Sequence, residues 1–352
     1  LSFGASFKSL ASVAPSEFDA DDEARDLVEA HASKARLSVA ASAGVDRLVK
    51  LLDVQASAVL VATARALFNL AIENDNAERI LQLGALAKLQ ALLAHHETEV
   101  VASAASVLMN CCATSAACRE ELVSIGLASV LMLRFSALVG ESASSAIGNV
   151  ELAHGLLGCL SNLLLHPSAS AELLEGEYGG SRNLGALLHV LRLEPEPAEV
   201  LLEDAASALA RVLERRSESV MLLIDLGLLD VIAKCLCHQN EELLCRVCAL
   251  GASLCGSGAG NEEGAARARR GLVDVGVVPK LSALLLSSSE EVQHAAVGLI
   301  EPMMHYMVAA RALRKEGALA LLADVLRMAE APNRGAPALA LLTSMRNDPR
   351  AA

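Results

Sequence analysis

Apolar residues recur along this chain at spacings of three and four, the periodicity of a side-chain stripe down one face of an α-helix. They come in short ladders: Leu89, Leu92 and Leu93; Ile232, Cys235 and Leu236; Leu281, Leu284 and Leu285; Leu322, Val325 and Leu326. Each ladder stands five, eight and nine residues after a glycine, at Gly84, Gly227, Gly276 and Gly317. An earlier copy, Leu48, Leu51 and Leu52, falls one residue early relative to Gly44. A glycine in that place predicts a sharp turn between two helices, where a positive φ or a close backbone approach excludes a Cβ.

Gly126 and Gly185 complete a series of seven turn glycines, with gaps of 40, 42, 59, 42, 49 and 41 residues. A period of ~40–47 residues belongs to repeats of two or three helices, and the longer gaps read as the same unit carrying insertions. Three Gly/Ser-rich stretches supply them. Gly140–Asn149 is placed between the second and third helices of the third repeat, and Glu175–Asn183 and Gly256–Gly264 between repeats. Loops carry much of the contact chemistry in proteins, which makes Tyr178 a contact candidate.

A longer helix in each unit is predicted to open with acids: Glu97 and Glu99, Glu203 and Asp204, Glu241 and Glu242, Glu290 and Glu291. Carboxylates suit the positive end of a helix dipole, and Ser287 to Ser289 offer N-caps. Recurrence at one repeat position favours this reading over paired catalytic carboxylates.

The segment RALFNLAIENDN (Arg65 to Asn76) resembles the armadillo signature, in which an Ala-Leu pair precedes Asn and an apolar residue. SVLMNCCATSAA, with Asn110, and GCLSNLLLHPSA, with Asn162, repeat it, and later copies place Arg211, Ala252 and Glu301 at that position. The turn glycine favours armadillo over the related HEAT unit. The resemblance spans roughly Leu37 to Met345. It implies an all-α, right-handed α-solenoid of about seven armadillo repeats over residues 37–345. Residues 1–36 then read as an acidic leader and partial cap, and 346–352 as a tail.

In armadillo proteins the third helices line a concave groove whose Asn ladder bonds the main chain of an extended peptide. By resemblance that role falls to Asn69, Asn110 and Asn162. The same amides can instead brace a neighbouring helix. Nuclear-import adaptors of the importin-α kind place Trp four residues before each Asn. Here those positions are Arg65, Ser106 and Gly158, and the chain has no Trp. Four residues after each Asn come Glu73, Thr114 and His166, later repeats add Arg215 and His305 there, and Arg211 joins the groove set from the Asn position. This mixed set fits an extended peptide or a helix.

Composition narrows the function classes. The 352 residues are 53% apolar but only 2% aromatic, as expected of a stacked repeat whose units bury faces against their neighbours. The longest apolar stretch, Gly126 to Gly140, is broken by Arg134, so no membrane span of ~18 residues is expected. A net charge of −13 argues against nucleic acid or an anionic membrane as partner. The nine cysteines, an odd number set among Leu and Ala, read as core thiols in a reducing compartment. Cys235, Cys237, Cys245, Cys248 and Cys255 with His238 form the densest group of metal-ligand types, but they sit on core rungs, and no metal or cofactor is expected. The glycines at 256, 258 and 260 lack the strand–helix context of a dinucleotide loop, and GxxxxGK[ST], HExxH and GxSxG are absent.

The sequence thus points to a protein–protein interaction scaffold or assembly subunit, not an enzyme. The alternative is a transport or chaperone adaptor that binds extended peptides. A cytoplasmic setting is expected, with a cytoskeletal or ciliary assembly as one location.

Overall fold

The computed structural model describes residues 30–39, 43–141, 149–175, 179–193, 199–256 and 261–317. Among them there are helices and no strands. The helices fall into a repeated set of three. First helices are α1 (30–39), α4 (Asn74–Gln82), α7 (Ala116–Ser124), α10 (Ala169–Glu175), α13 (Ser219–Asp225), α16 (Glu262–Asp274) and α19 (Met307–Lys315). Second helices are α2 (Gly44–Leu51), α5 (Ala85–Leu92), α8 (Leu127–Glu141), α11 (Gly180–Leu191), α14 (Leu228–Cys235) and α17 (Val277–Leu284). Third helices are α3 (Ser57–Leu70), α6 (Thr98–Thr114), α9 (Val150–Leu163), α12 (Glu199–Arg215), α15 (Glu241–Cys255) and α18 (Glu290–Met303). The result is an all-α solenoid of six complete units and the opening of a seventh. The acidic run before residue 30, Tyr178, the ladder after Gly317 and the tail lie outside the described residues.

The third helices stack in file, α3 on α6, then α9, α12, α15 and α18. One hydrophobic core runs the length of the array, from Val45 to Leu313. No single unit could bury both of its faces, so each neighbour supplies the wall that the other lacks. Small residues set how closely the file packs. A Cβ on Gly155 would lie 3.1 Å from the Ala105 Cβ, and one on Gly251 only 2.9 Å from a Leu299 methyl.

Five of the seven expected turn glycines, at 84, 126, 227, 276 and 317, adopt positive φ. The other two need correction. In the first repeat the left-handed residue is Ala43, at φ 57°. Gly44 serves instead by close approach, since a Cβ there would fall 2.6 Å from the Val39 carbonyl oxygen at the end of α1. Counting from Ala43 restores the five, eight, nine spacing to Leu48, Leu51 and Leu52, which explains the ladder that stood one residue early. In the fourth repeat the turn is at Gly179, with φ 70°, while Gly185 lies inside α11. From Gly179 the same spacing reaches Leu184, Leu187 and Leu188, all buried. The Glu175–Asn183 stretch accordingly joins α10 to α11 within the fourth repeat and does not separate two repeats.

Caps explain several helix starts. Asn240 and Ser289 accept from the Leu243 and Val292 backbone N–H groups at 2.8 and 3.5 Å, opening α15 and α18. Asn149 does the same for α9, accepting from Leu152 N–H at 2.9 Å. Each supplies a partner for one of the orphan donors of a first turn. Acids occupy the first turns of α6, α15 and α18 as expected. In α12 the first-turn acid is Glu199, and Glu203 and Asp204 lie a turn further in.

All nine cysteines are free thiols, and of the nine only Cys237 is exposed and Cys245 half-exposed. Burial pushes the Cys235 thiol up to about 11, and Cys248 and Cys255 up to about 12. Among the described residues no three His, Cys, Asp or Glu side chains come together as a metal site. No single described helix is long and apolar enough to cross a membrane, although α7 and α8, bent by 77° at their junction, pass on length and composition as a pair.

Candidate peptide-binding face

The side chains at the Asn position connect the third helices in one file. Asn110 Nδ2 on α6 donates to the Phe68 carbonyl of α3 at 2.9 Å. Asn162 Nδ2 on α9 donates to the Met109 carbonyl of α6 at 3.3 Å. Arg211 on α12 continues the pattern, donating from Nη1 to the Ser161 carbonyl of α9 and to its Oγ. In each case the acceptor is the residue just before the corresponding position of the preceding repeat. Phe68 and Ser161 lie in the last turns of their helices, where carbonyls have no intrahelical partner. The ladder is therefore a brace between repeats.

Bracing does not exhaust the amides. A carboxamide has two donors and an acceptor with two lone pairs, so Asn110 and Asn162 each keep one N–H and the Oδ1 for another partner. Both are half-exposed. Asn69, at the start of the file, is exposed, and its side chain makes no hydrogen bond among the described residues.

The other expected groove residues divide by environment. Arg65 pairs with Glu99 of the next third helix at 3.0 Å, both ends well exposed. Exposed pairs of this kind contribute little stability. Ser106 donates to its own helix at Ala102 O, 3.0 Å away, and Thr114 Oγ1 donates to Ala71 O at 3.0 Å. Arg215 is exposed, and its side chain makes no hydrogen bond or ion pair among the described residues. Glu73 stands at the N-cap of α4, beyond the third helix, and pairs with Arg36 at 2.8 Å. That bond and one from Ser33 hold the Glu73 carboxyl below its usual range. His166 lies in the turn after α9, where Nδ1 accepts from the Ser168 N–H at 3.3 Å.

Two features of this face were not anticipated from sequence. Ile72 and Leu165, each three residues after its Asn, are 47% and 43% exposed. The spacing repeats in the sequence, but an isolated apolar residue near a helix end gives no sign of whether it points outward. The second feature is a polar pair one helix apart, with His154 Nδ1 2.8 Å from Asp204 Oδ2. Their sequence separation of 50 residues, longer than the shorter gaps of the repeat, hides it.

Asp204 makes a pH prediction. Burial pushes its carboxyl above the usual aspartate range, and the His154 bond, with Arg211 and Arg246 nearby, offsets this only in part. An acid whose pKa is raised on folding binds its proton more tightly in the folded state. The stability of the protein relative to an Asp204→Asn variant should therefore fall as pH rises from the unfolded aspartate value through the raised one. Denaturant titrations of both proteins across acidic pH check this; a relative gain with rising pH would contradict it.

No protein-family model matches the chain, and no curated protein matches it. Solved structures do. A designed armadillo repeat protein superposes with a TM-score of 0.59 at 24% identity, covering 73% of this chain and 98% of its own. A second designed armadillo repeat protein, in complex with the peptide (KR)4, gives 0.58 at 21% identity over the same shares. An engineered protein covers 92% of this chain and 86% of its own, with a TM-score of 0.56 at 23% identity. The chain has an armadillo-like helical repeat fold.

Proposed function

We propose that this chain is a protein-interaction scaffold whose third-helix face holds an extended segment of a partner protein. One observation carries the reading: Asn69, Asn110 and Asn162 form a file across three repeats with unused main-chain-type hydrogen-bonding capacity. Ile72 and Leu165 offer apolar contacts beside it. A similar designed armadillo repeat protein binds a peptide of alternating Lys and Arg, which supports the mode of binding.

The charge pattern favours a basic segment here too. Glu99, Glu151, Glu241 and Glu291 are exposed in the first turns of four third helices, α6, α9, α15 and α18, and the whole chain carries −13. Such complementarity selects partners and speeds encounter more than it adds raw affinity. A cytoplasmic setting, read from the free buried thiols, and membership of a larger assembly belong to the same proposal.

Asn69 is the clean probe, because it braces nothing. Asn69→Ala should leave stability within about 0.5 kcal/mol, as for a surface change without partners. It should weaken binding of a labelled Lys/Arg-alternating peptide by about 0.5–1.5 kcal/mol, the worth of an ordinary hydrogen bond. Asn110→Ala and Asn162→Ala should each lower stability by a similar amount, since they remove a brace. Fluorescence anisotropy, with an alternating Glu peptide as control and a salt series, measures the first effect. Equal binding of the acidic peptide, or no loss in Asn69→Ala, would refute the groove reading.

A further inference from the structure

Cys237 is the exposed thiol among nine, and it is not isolated. It lies in the turn after α14, and Lys280 on α17 reaches across the boundary between the fifth and sixth repeats. Lys280 Nζ donates to Cys237 Sγ at 2.9 Å and to the Ala233 carbonyl at 2.6 Å. The Cys237 thiol itself is 3.7 Å from that same carbonyl oxygen. A last-turn carbonyl of α14 thus gathers the nitrogen and the sulfur at one point, with the sulfur open to solvent. Reactive cysteines are found in this combination of exposure and a neighbouring cation, whereas buried thiols are inert. Cys235 and Cys248 provide the contrast within the same repeat, since both are buried and shifted upward in pKa.

We propose that Cys237 and Lys280 form an oxidation-sensitive pair, which hydrogen peroxide converts into a covalent sulfur–nitrogen link between adjacent repeats. In the first step Cys237 Sγ attacks the peroxide O–O bond. An S–O bond forms, the O–O bond breaks, and the departing oxygen leaves as water with the thiol proton. Sulfur has then given two electrons to the peroxide and stands as sulfenic acid. In the second step Lys280 Nζ, after losing a proton to solvent, attacks that sulfur. The S–N bond forms, the S–O bond breaks, and a second water leaves, with no further change of oxidation state. Two equivalents of an added thiol reverse the link, restoring thiol and amine and yielding the disulfide of the reductant. The link would tie α14 to α17 and remove one degree of freedom between the fifth and sixth repeats.

The test is treatment of the full chain with stoichiometric hydrogen peroxide, followed by peptide mapping with and without dithiothreitol. The expected product is a linked pair of peptides containing Cys237 and Lys280, lighter by two hydrogen atoms than the two peptides combined, and lost on reduction. In Lys280→Met the link should vanish and a sulfenic-acid trap such as dimedone should label Cys237 instead. The proposal is overturned if the wild-type chain gives only sulfinic acid or intermolecular disulfide at Cys237. It is also overturned if dimedone labels Cys237 equally in the wild-type chain and Lys280→Met.

Discussion

Replacing Phe135 by alanine is expected to destabilise the protein by about 3–5 kcal/mol, the range for deleting a fully buried aromatic ring. Phe135 lies on α8 at 1% exposure and is the largest fully buried side chain among the described residues. Aromatic residues make up only 2% of the chain, and the neighbouring core is built of Leu, Ala and Cys. Short aliphatic side chains held on helices cannot swing in to refill a ring-sized space, so the cavity remains. α8 also packs against α7, α9, α10 and α11, which places the loss at the joint of the third and fourth repeats. Because stacked repeats contact only their neighbours, the damage should stay near that joint. Urea unfolding would read the magnitude, and hydrogen exchange should show protection lost in α8 to α11 more than in α15 to α18. A change below about 1 kcal/mol would mean that the site collapses, contrary to the packing described.

Gly158→Trp is expected to destabilise by about 1–3 kcal/mol or more through overpacking, although tryptophan outranks glycine in helix propensity. This is the position where import adaptors of the importin-α kind place an aromatic residue. Here Gly158 is buried on α9, and even a Cβ would fall 2.5 Å from Met109 Sδ and 3.5 Å from Asp204 Oδ2. Met109 lies across the glycine, so the place of a stacking ring is taken by the contact between α6 and α9. Gly158→Ala should be nearly neutral, since the flexible Met109 terminus can shift and the helix gains about 1 kcal/mol of propensity. Parallel denaturation of the two variants separates these outcomes. Equal stability of Gly158→Trp and the parent chain would show that the interface can open and that an aromatic shelf is compatible with this face.

Much of the architecture was legible because its causes are local. The three-and-four spacing of Leu89, Leu92 and Leu93 requires a helix with one buried stripe, and a residue able to turn must precede it. Ala43 shows where that logic failed. Glycine is the cheapest residue at positive φ but not the only one able to occupy it, and the neighbouring Gly44, which fits the period, is required instead for its close approach to Val39. Gly185 misled in the opposite way. An insertion changed the spacing, and a glycine near the mean period happened to lie inside α11, whereas the Leu184, Leu187 and Leu188 ladder points back to Gly179.

The candidate face was legible as a list of positions, not as a set of contacts. That Asn69, Asn110 and Asn162 occupy equivalent places follows from the repeat. That Asn110 and Asn162 are already bonded to Phe68 and Met109 does not, because those partners lie 42 and 53 residues away and are met only when third helices stack. The same holds for His154 with Asp204 and for Lys280 with Cys237. By itself the sequence determined the helices, their period and their buried stripes, since each rests on neighbours within a few turns. Only the tertiary structure decided which polar groups are used and which are free, because that depends on the register between repeats, and insertions of unequal length set the register.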